Sequence, residues 1–221
     1  MNLVTPFFTG EIKIDTDAVT ALVIENPKVF YGIVQDIYLQ ISGEEGNCVL
    51  SNEKGILKFS KVADLTTSFV PFELNEKRLI TKINAVLEQE AMGDVHYGET
   101  MEILSRIEQF ADVLSEGLPY QLYFPGINIG SIVKMLGAVV EDDSESEMER
   151  VFQYMQMVRS LLGDKLFIFV NMFSFFERAK LQLFFETAVR HEYRVLLIDS
   201  RDFDKMDYMR KVIVDKDLCV I

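Results

Sequence analysis

The chain has 221 residues, of which 49% are hydrophobic and 26% charged, and its formal net charge is −13. That length bounds it to one or two globular domains, and 17 Phe with 8 Tyr exclude the core-poor composition of a disordered chain. No run of 18 or more uncharged apolar residues offers a membrane span, and Met1-Asn2-Leu3-Val4-Thr5-Pro6 lacks the basic and apolar regions of a signal peptide.

Glu11-Ile12-Lys13-Ile14 alternates with period two and predicts a short strand. Ala18–Glu25 is a second β-rich run. Asn26 and Pro27 then mark a helix start: Asn accepts from free backbone N–H groups, and Pro fits the first turn, where no N–H is needed. Val29, Phe30, Ile33, Val34, Ile37 and Tyr38 follow at helical spacing, so 27–41 is an amphipathic helix. Gly43–Asn47 is a turn. Residues 47–72 hold short β-like pieces at Cys48–Leu50, Ile56–Phe59 and Val62–Val70.

The middle changes character. Asn75 is placed to cap a helix to Ala91, and a second helix over 97–116 is stopped by Gly117-Leu118-Pro119. Two helices with a short link suggest a helical hairpin. Tyr120–Phe124 is expected as a strand and Asn128–Leu136 as a short helix ended by Gly137. The last third begins with a helix from Met148 to Leu162, ended by Gly163. Leu166–Val170 and Tyr193–Asp199 are continuous apolar runs, the pattern of parallel strands buried on both faces. Between them Ser174-Phe175-Phe176-Glu177 matches a capping box for a helix to Arg190. Val212–Val214 and Leu218–Val220 are expected edge strands. The fold class is therefore α/β. Residues 1–74 and 150–221 form a discontinuous head domain with a largely parallel sheet, and 75–149 form an inserted helical leg domain.

The chemistry is notable for what is missing. There is no GxxxxGK[ST] loop to surround phosphates with backbone N–H groups and a Lys. Gly126 and Gly130 have a similar interval, but Ser131 stands where the Lys belongs. There is no GxGxxG and no GxSxG elbow. Asp199 ends a strand like the metal-orienting acid of an ATPase, and without a phosphate loop it reads as a strand-end acid. The two histidines, His96 and His191, and the two cysteines, Cys48 and Cys219, do not cluster, which argues against a transition-metal site and a disulfide framework. Glu141, Asp142, Asp143 and Glu145 offer the oxygens that calcium takes, without the spacing of a calcium loop.

Charge is distributed unevenly. Residues 1–53 carry 2 basic and 8 acidic side chains, 54–82 carry 6 and 3, 83–150 carry 3 and 14, and 151–221 carry 11 and 10. Nucleic-acid binding depends on local fields, not on the whole-chain sum. The basic segment supplies the candidate DNA-binding residues Lys54, Lys58, Lys61, Lys77, Arg78 and Lys82. Arg78 and Lys82, at i and i+4, share a helix face. No helix-turn-helix with a basic recognition helix and no aromatic-interleaved single-strand motif is present, so duplex contacts would be to the backbone and independent of sequence.

The chain resembles the ring-forming small subunit of the type II-A CRISPR adaptation machinery. The residues that carry the likeness are Thr20–Glu25 with Val29-Phe30 after it, then Lys165–Asn171, Ser174, the following helix and Val195–Arg201. The resemblance implies a head related to a degenerate P-loop ATPase fold, with an inserted helical leg and no working phosphate loop. It implies a homotetramer with a basic channel that accepts double-stranded DNA ends and supports spacer acquisition, with no catalytic activity and no nucleotide. The implied partners are the CRISPR integrase proteins and the RNA-guided effector nuclease, in the cytoplasm and not at a membrane. It also implies calcium, but the segment Tyr120–Ile129, where relatives carry carboxylates, has no acid here. No metal ligand is therefore assigned. Two other readings stay open: a metal-dependent nuclease or nucleotide-dependent enzyme of the same fold, and a DNA-free protein-interaction scaffold.

Overall fold

A computed structural model describes residues 1–221, which divide into two compact units, Met1–Phe72 with Ser144–Ile221 and Glu73–Asp143. In chain order, unit 1 opens with β1 (Asn2–Val4), β2 (Glu11–Lys13), β3 (Val19–Ile24), α1 (Pro27–Ile41), β4 (Val49–Asn52), β5 (Gly55–Leu57), the one-turn α2 (Phe59–Val62) and β6 (Ala63–Thr66). Unit 2 holds α3 (Lys77–Ala91), α4 (Tyr97–Ser115) and α5 (Ile129–Leu136). Unit 1 resumes with α6 (Glu147–Leu162), β7 (Leu166–Val170), α7 (Arg178–Arg190), β8 (Arg194–Asp199) and β9 (Met209–Val214).

The core of unit 1 is a five-stranded sheet in the order β6-β7-β8-β3-β9, every pair parallel. All residues of β3 and β7 are buried, as their unbroken apolar composition requires of strands covered on both faces. Period two sorts the side chains. Leu22, Ile24, Ile168, Leu196 and Ile198 pack with Ile33 and Ile37 of α1 and with Leu3, Ile12 and Leu50 of a second sheet. Phe169 turns the other way, onto Phe184 of α7 at 5.8 Å. The second sheet is antiparallel in the order β2-β1-β4-β5, with Leu3 opposite both Ile12 and Leu50. The outer edge of β9 is closed by the last residues, since Ile213 and Ile221 exchange both backbone hydrogen bonds, at 3.0 and 2.8 Å.

Most helix boundaries follow local signals. Asn26 Oδ1 accepts from the N–H groups of Lys28 and Val29, at 3.1 and 3.3 Å, and Pro27 opens α1. Gly137, at φ 63°, ends α5. Four expectations fail, each for a physical reason. Asn75 does not cap α3: its amide bonds Val140 in both directions, at 3.1 and 2.7 Å, and Glu76 precedes the helix instead. Tyr120–Phe124 forms no strand, because a lone strand among helices has no ladder for its N–H and C=O groups. Ser174 does not open α7. Asn171 adopts φ 55°, Met172–Ser174 form a 3-10 turn, and Glu177 precedes the helix. The break lets Phe173 reach Phe185 while Phe175 and Phe176 both reach Phe69, at 5.2 Å each. Leu218–Val220 reduces to a single bridge, Val220 to Val214.

In unit 2, α3 lies closest to α5. Gly130 makes this possible, since a Cβ there would stand 2.7 Å from the Glu88 carboxylate. The two helices run antiparallel: Gly130 meets the end of α3, and Val140 meets Asn75 just before its start. Leu79 and Val133 are buried, and Thr100 Oγ1 donates to the Ala91 carbonyl at 2.7 Å, tying α4 to the end of α3.

Asp36 of α1 holds the loop into β4. Its buried carboxylate accepts from the N–H groups of Asn47 and Cys48, at 2.7 and 3.0 Å, and from the Gln40 amide. Burial alone would raise its pKa; the backbone N–H groups and Gln40 outweigh that and hold the carboxyl below its ordinary value. A depressed folded pKa contributes stability above the unfolded value and loses it as pH falls through the folded value. Asp36→Ala is therefore expected to lower unfolding stability by about 2 kcal/mol at pH 7. The deficit should shrink below about pH 4, as urea unfolding at both pH values would measure.

Candidate nucleic-acid interface

Five parallel strands all start at one edge of the sheet, so residues that precede or open strands collect there. The register aligns Ala63, Leu166 and Arg194, the first residues of β6, β7 and β8. Lys61 stands just before β6 and Lys165 just before β7, and the Lys165 Nζ donates to the Lys61 carbonyl. Arg210, the second residue of β9, pairs with Thr20. The strand-entry edge thus carries Lys61, Lys165, Arg194 and Arg210. Beside it, a polar depression of about 710 Å³ is lined by Lys13, Lys54, Asp15, Asp17, Glu53 and Arg194, among others. Arg210 is tied to Asp15 and Asp17, at 3.7 and 3.5 Å, and Lys13 to Asp15 at 2.8 Å. The Lys13 hydrogen bond lowers the Asp15 pKa, with the nearby positive charges adding to it against burial. Lys54, Lys61 and Arg194 make no ion pair, so their charge remains directed at solvent.

The six sequence-derived candidates therefore separate. Lys54 lies in the β4–β5 turn, where its N–H donates to Asn52 Oδ1 at 2.9 Å; Lys58 precedes α2 and Lys61 lies within it. All three are exposed and belong to unit 1. Lys77, Arg78 and Lys82 are exposed on α3 of unit 2. At 100° per residue, Arg78 and Lys82 are about 40° apart around the helix, and Lys77 is about 100° from Arg78. Arg78 is bound to Glu76 at 2.7 Å. Sequence reasoning missed Lys165 and Arg194. The signal was available as a basic residue immediately before, or first in, each long apolar strand.

The opposite edge, where α/β folds commonly place ligands, is filled by the protein's own polar groups. The turn between β3 and α1 is Glu25-Asn26, and the Asn26 side chain occupies the free N–H groups that a phosphate would need. Asp199 is buried at the end of β8 and accepts from the Phe173 N–H at 3.3 Å. Burial pushes its pKa up, against the opposing N–H groups of Phe173, Ser200 and Arg201. Asn171 Oδ1 accepts from both the N–H and the hydroxyl of Ser200, at 3.2 Å each. His96 and His191 are exposed at a helix start and a helix end. Cys48 is buried, which pushes its thiol up to about 12, far from a reactive thiolate.

Calcium needs six to eight oxygens. No three His, Cys, Asp or Glu side chains come together to hold a metal ion, the Glu141–Glu145 run included. The residues of one chain thus do not fit a calcium site. No helix is long and apolar enough to cross a membrane.

Comparison with known proteins agrees with this arrangement. Residues 40–218 match the family described as CRISPR-associated protein (Cas_Csn2). The CRISPR-associated protein Csn2 of Streptococcus agalactiae is 22% identical over 209 residues, covering 91% of this chain and 90% of the relative. That of Enterococcus faecalis is 24% identical over 198 residues, covering 86% and 87%. The crystal structure of Stu0660 of Streptococcus thermophilus superposes with a TM-score of 0.61 at 14% identity, covering 97% of this chain and 75% of that one, and so shares the fold. With the family match spanning most of its length, the chain belongs to the Csn2 family of CRISPR-associated proteins.

Proposed function

We propose that the chain is a non-catalytic subunit of a cytoplasmic tetrameric ring. The ring binds the ends of linear double-stranded DNA without regard to sequence and supports spacer acquisition beside the CRISPR integrase proteins and the RNA-guided effector nuclease. The observation that carries the reading is the row of cations at the strand-entry edge of a chain whose net charge is −13. A local positive field on an acidic protein attracts phosphate where it is concentrated and repels it elsewhere. Lys54, Lys58, Lys61, Lys165 and Arg194 of unit 1 are assigned to the DNA backbone, as are Lys77, Arg78 and Lys82 of unit 2. Such contacts position a duplex and read no bases.

The head is read as a P-loop-ATPase-like frame that has lost its phosphate loop. In support, the helix after the central strand β3 starts two residues later, with Asn26 seated on its N–H groups. That turn is too short and too fully bonded to cradle a triphosphate. Asp199 favours the enzyme alternative only by its position. It is engaged with Phe173 and buried, so it is assigned a structural role.

Three outcomes test the reading. Linear duplex should bind more tightly than the same DNA as a covalently closed circle, without nucleotide; equal affinity would remove the ring. If four cations meet phosphates, affinity should fall on the order of 10²-fold between 50 and 200 mM salt. Replacing Lys54, Lys61 and Arg194 by Gln should flatten that slope by about three, and an unchanged slope would move the contact elsewhere. Asp199→Asn should leave DNA affinity within about twofold. An acid whose folded pKa is raised loses stability as pH rises from its unfolded value through its folded one. The Asn variant should therefore melt no lower than wild type at pH 8. Loss of DNA binding in a folded Asp199→Asn protein would revive the enzyme reading.

A further inference from the structure

Unit 2 leaves one helix face without a partner. Ile103, Ile107, Phe110 and Leu114 of α4 are 44%, 39%, 63% and 64% exposed. At 100° per residue they span about 60° of the helix. Thr100 and Leu104, which pack inward, lie on a neighbouring face. The spacing of four, three and four is that of a coiled-coil seam, whose partner is another helix. The seam is also free of carboxylates: Glu108 and Asp112 lie about 130° or more away around the helix. Glu102 is bound to Arg106 at 2.7 Å.

We propose that this seam is where a second copy of the chain docks, with its α4 antiparallel to the first. The spacing reads the same in both directions, as a two-fold contact of one surface with itself requires. Antiparallel alignment sets Ile103 of one copy against Leu114 of the other, and Ile107 against Phe110. Each layer then pairs a branched side chain with a larger or longer one. Charge favours the same direction. Residues 73–143 carry 5 basic and 13 acidic side chains, so two such units repel. A parallel pair would set Glu99 and Glu102 against their own copies. The antiparallel pair sets them against Leu118 and Ser115. A basic partner protein is the less suitable occupant, since the seam offers it no carboxylate. The inference deepens the ring reading by naming a subunit contact, but its tests do not involve DNA. Because the surrounding repulsion is screened by salt, self-association should strengthen with salt while DNA binding weakens.

The test uses the full chain with Cys219→Ser, which removes the exposed thiol. The double variant Ile103→Cys with Leu114→Cys should form a disulfide-linked dimer on mild oxidation. Ile103→Cys alone should not, because its two copies would lie about 16 Å apart. Phe110→Glu, at an exposed position, should fold normally and lower the mass in solution by twofold or more. Raising salt from 50 to 500 mM should increase association of the wild type. An unchanged mass for Phe110→Glu, together with no cross-link in the double variant, would overturn the contact. Cross-linking of Ile103→Cys alone would overturn its antiparallel direction. Equal binding of linear and circular DNA by the wild type would sink the ring reading and leave the cross-linking result standing.

Discussion

Burial of parallel strands on both faces is the constraint from which unit 1 follows. Parallel neighbours cannot be joined by a tight turn, so each connection must cross a face and return. The crossing segments, α1 and α7 among them, supply the cover that keeps β3 and β7 fully buried. The same topology forces all five strands to begin at one edge. Polar residues are excluded from the strands and gather before them. Lys61, Lys165 and Arg194 are therefore neighbours although they are far apart in the chain. The cationic edge is a by-product of the topology that the fold has put to use.

Electrostatics divides the molecule in a corresponding way. The net charge of −13 would exclude nucleic acid if it were spread evenly. Acid is instead concentrated in residues 83–150, and within unit 1 it is largely engaged. Asp15 and Asp17 face Arg210, Asp36 faces N–H groups, and Asp199 is buried against Phe173. The cations of the strand-entry edge are less fully engaged, and the surface field there exceeds what a count of side chains suggests.

Much of the fold was legible where one local signal decided the outcome. Asn26-Pro27, Gly137, Gly163 and the apolar runs of β3, β7 and β8 each state their role without reference to distant residues. Reading failed where a side chain had two suitable partners and tertiary structure chose. Asn75 could serve its own helix or Val140, 65 residues away, and the structure uses it on Val140. Ser174 sat in a good capping pattern, but the three Phe residues around it required different directions. The site was half legible. Lys54 and Lys61 stood out by composition, whereas Lys165 and Arg194 acquire meaning only from the register of β6, β7 and β8.

The closure of β9 by the final residues bears on how copies of this chain can meet. An open sheet offers its outermost strands as templates for further strands, and a protein that assembles in numbers brings such strands together often. Here Ile213 has already spent its backbone groups on Ile221. Growth of the sheet from that side into an unlimited fibre is blocked, and copies are left to associate through side chains, whose geometry can close on itself and stop.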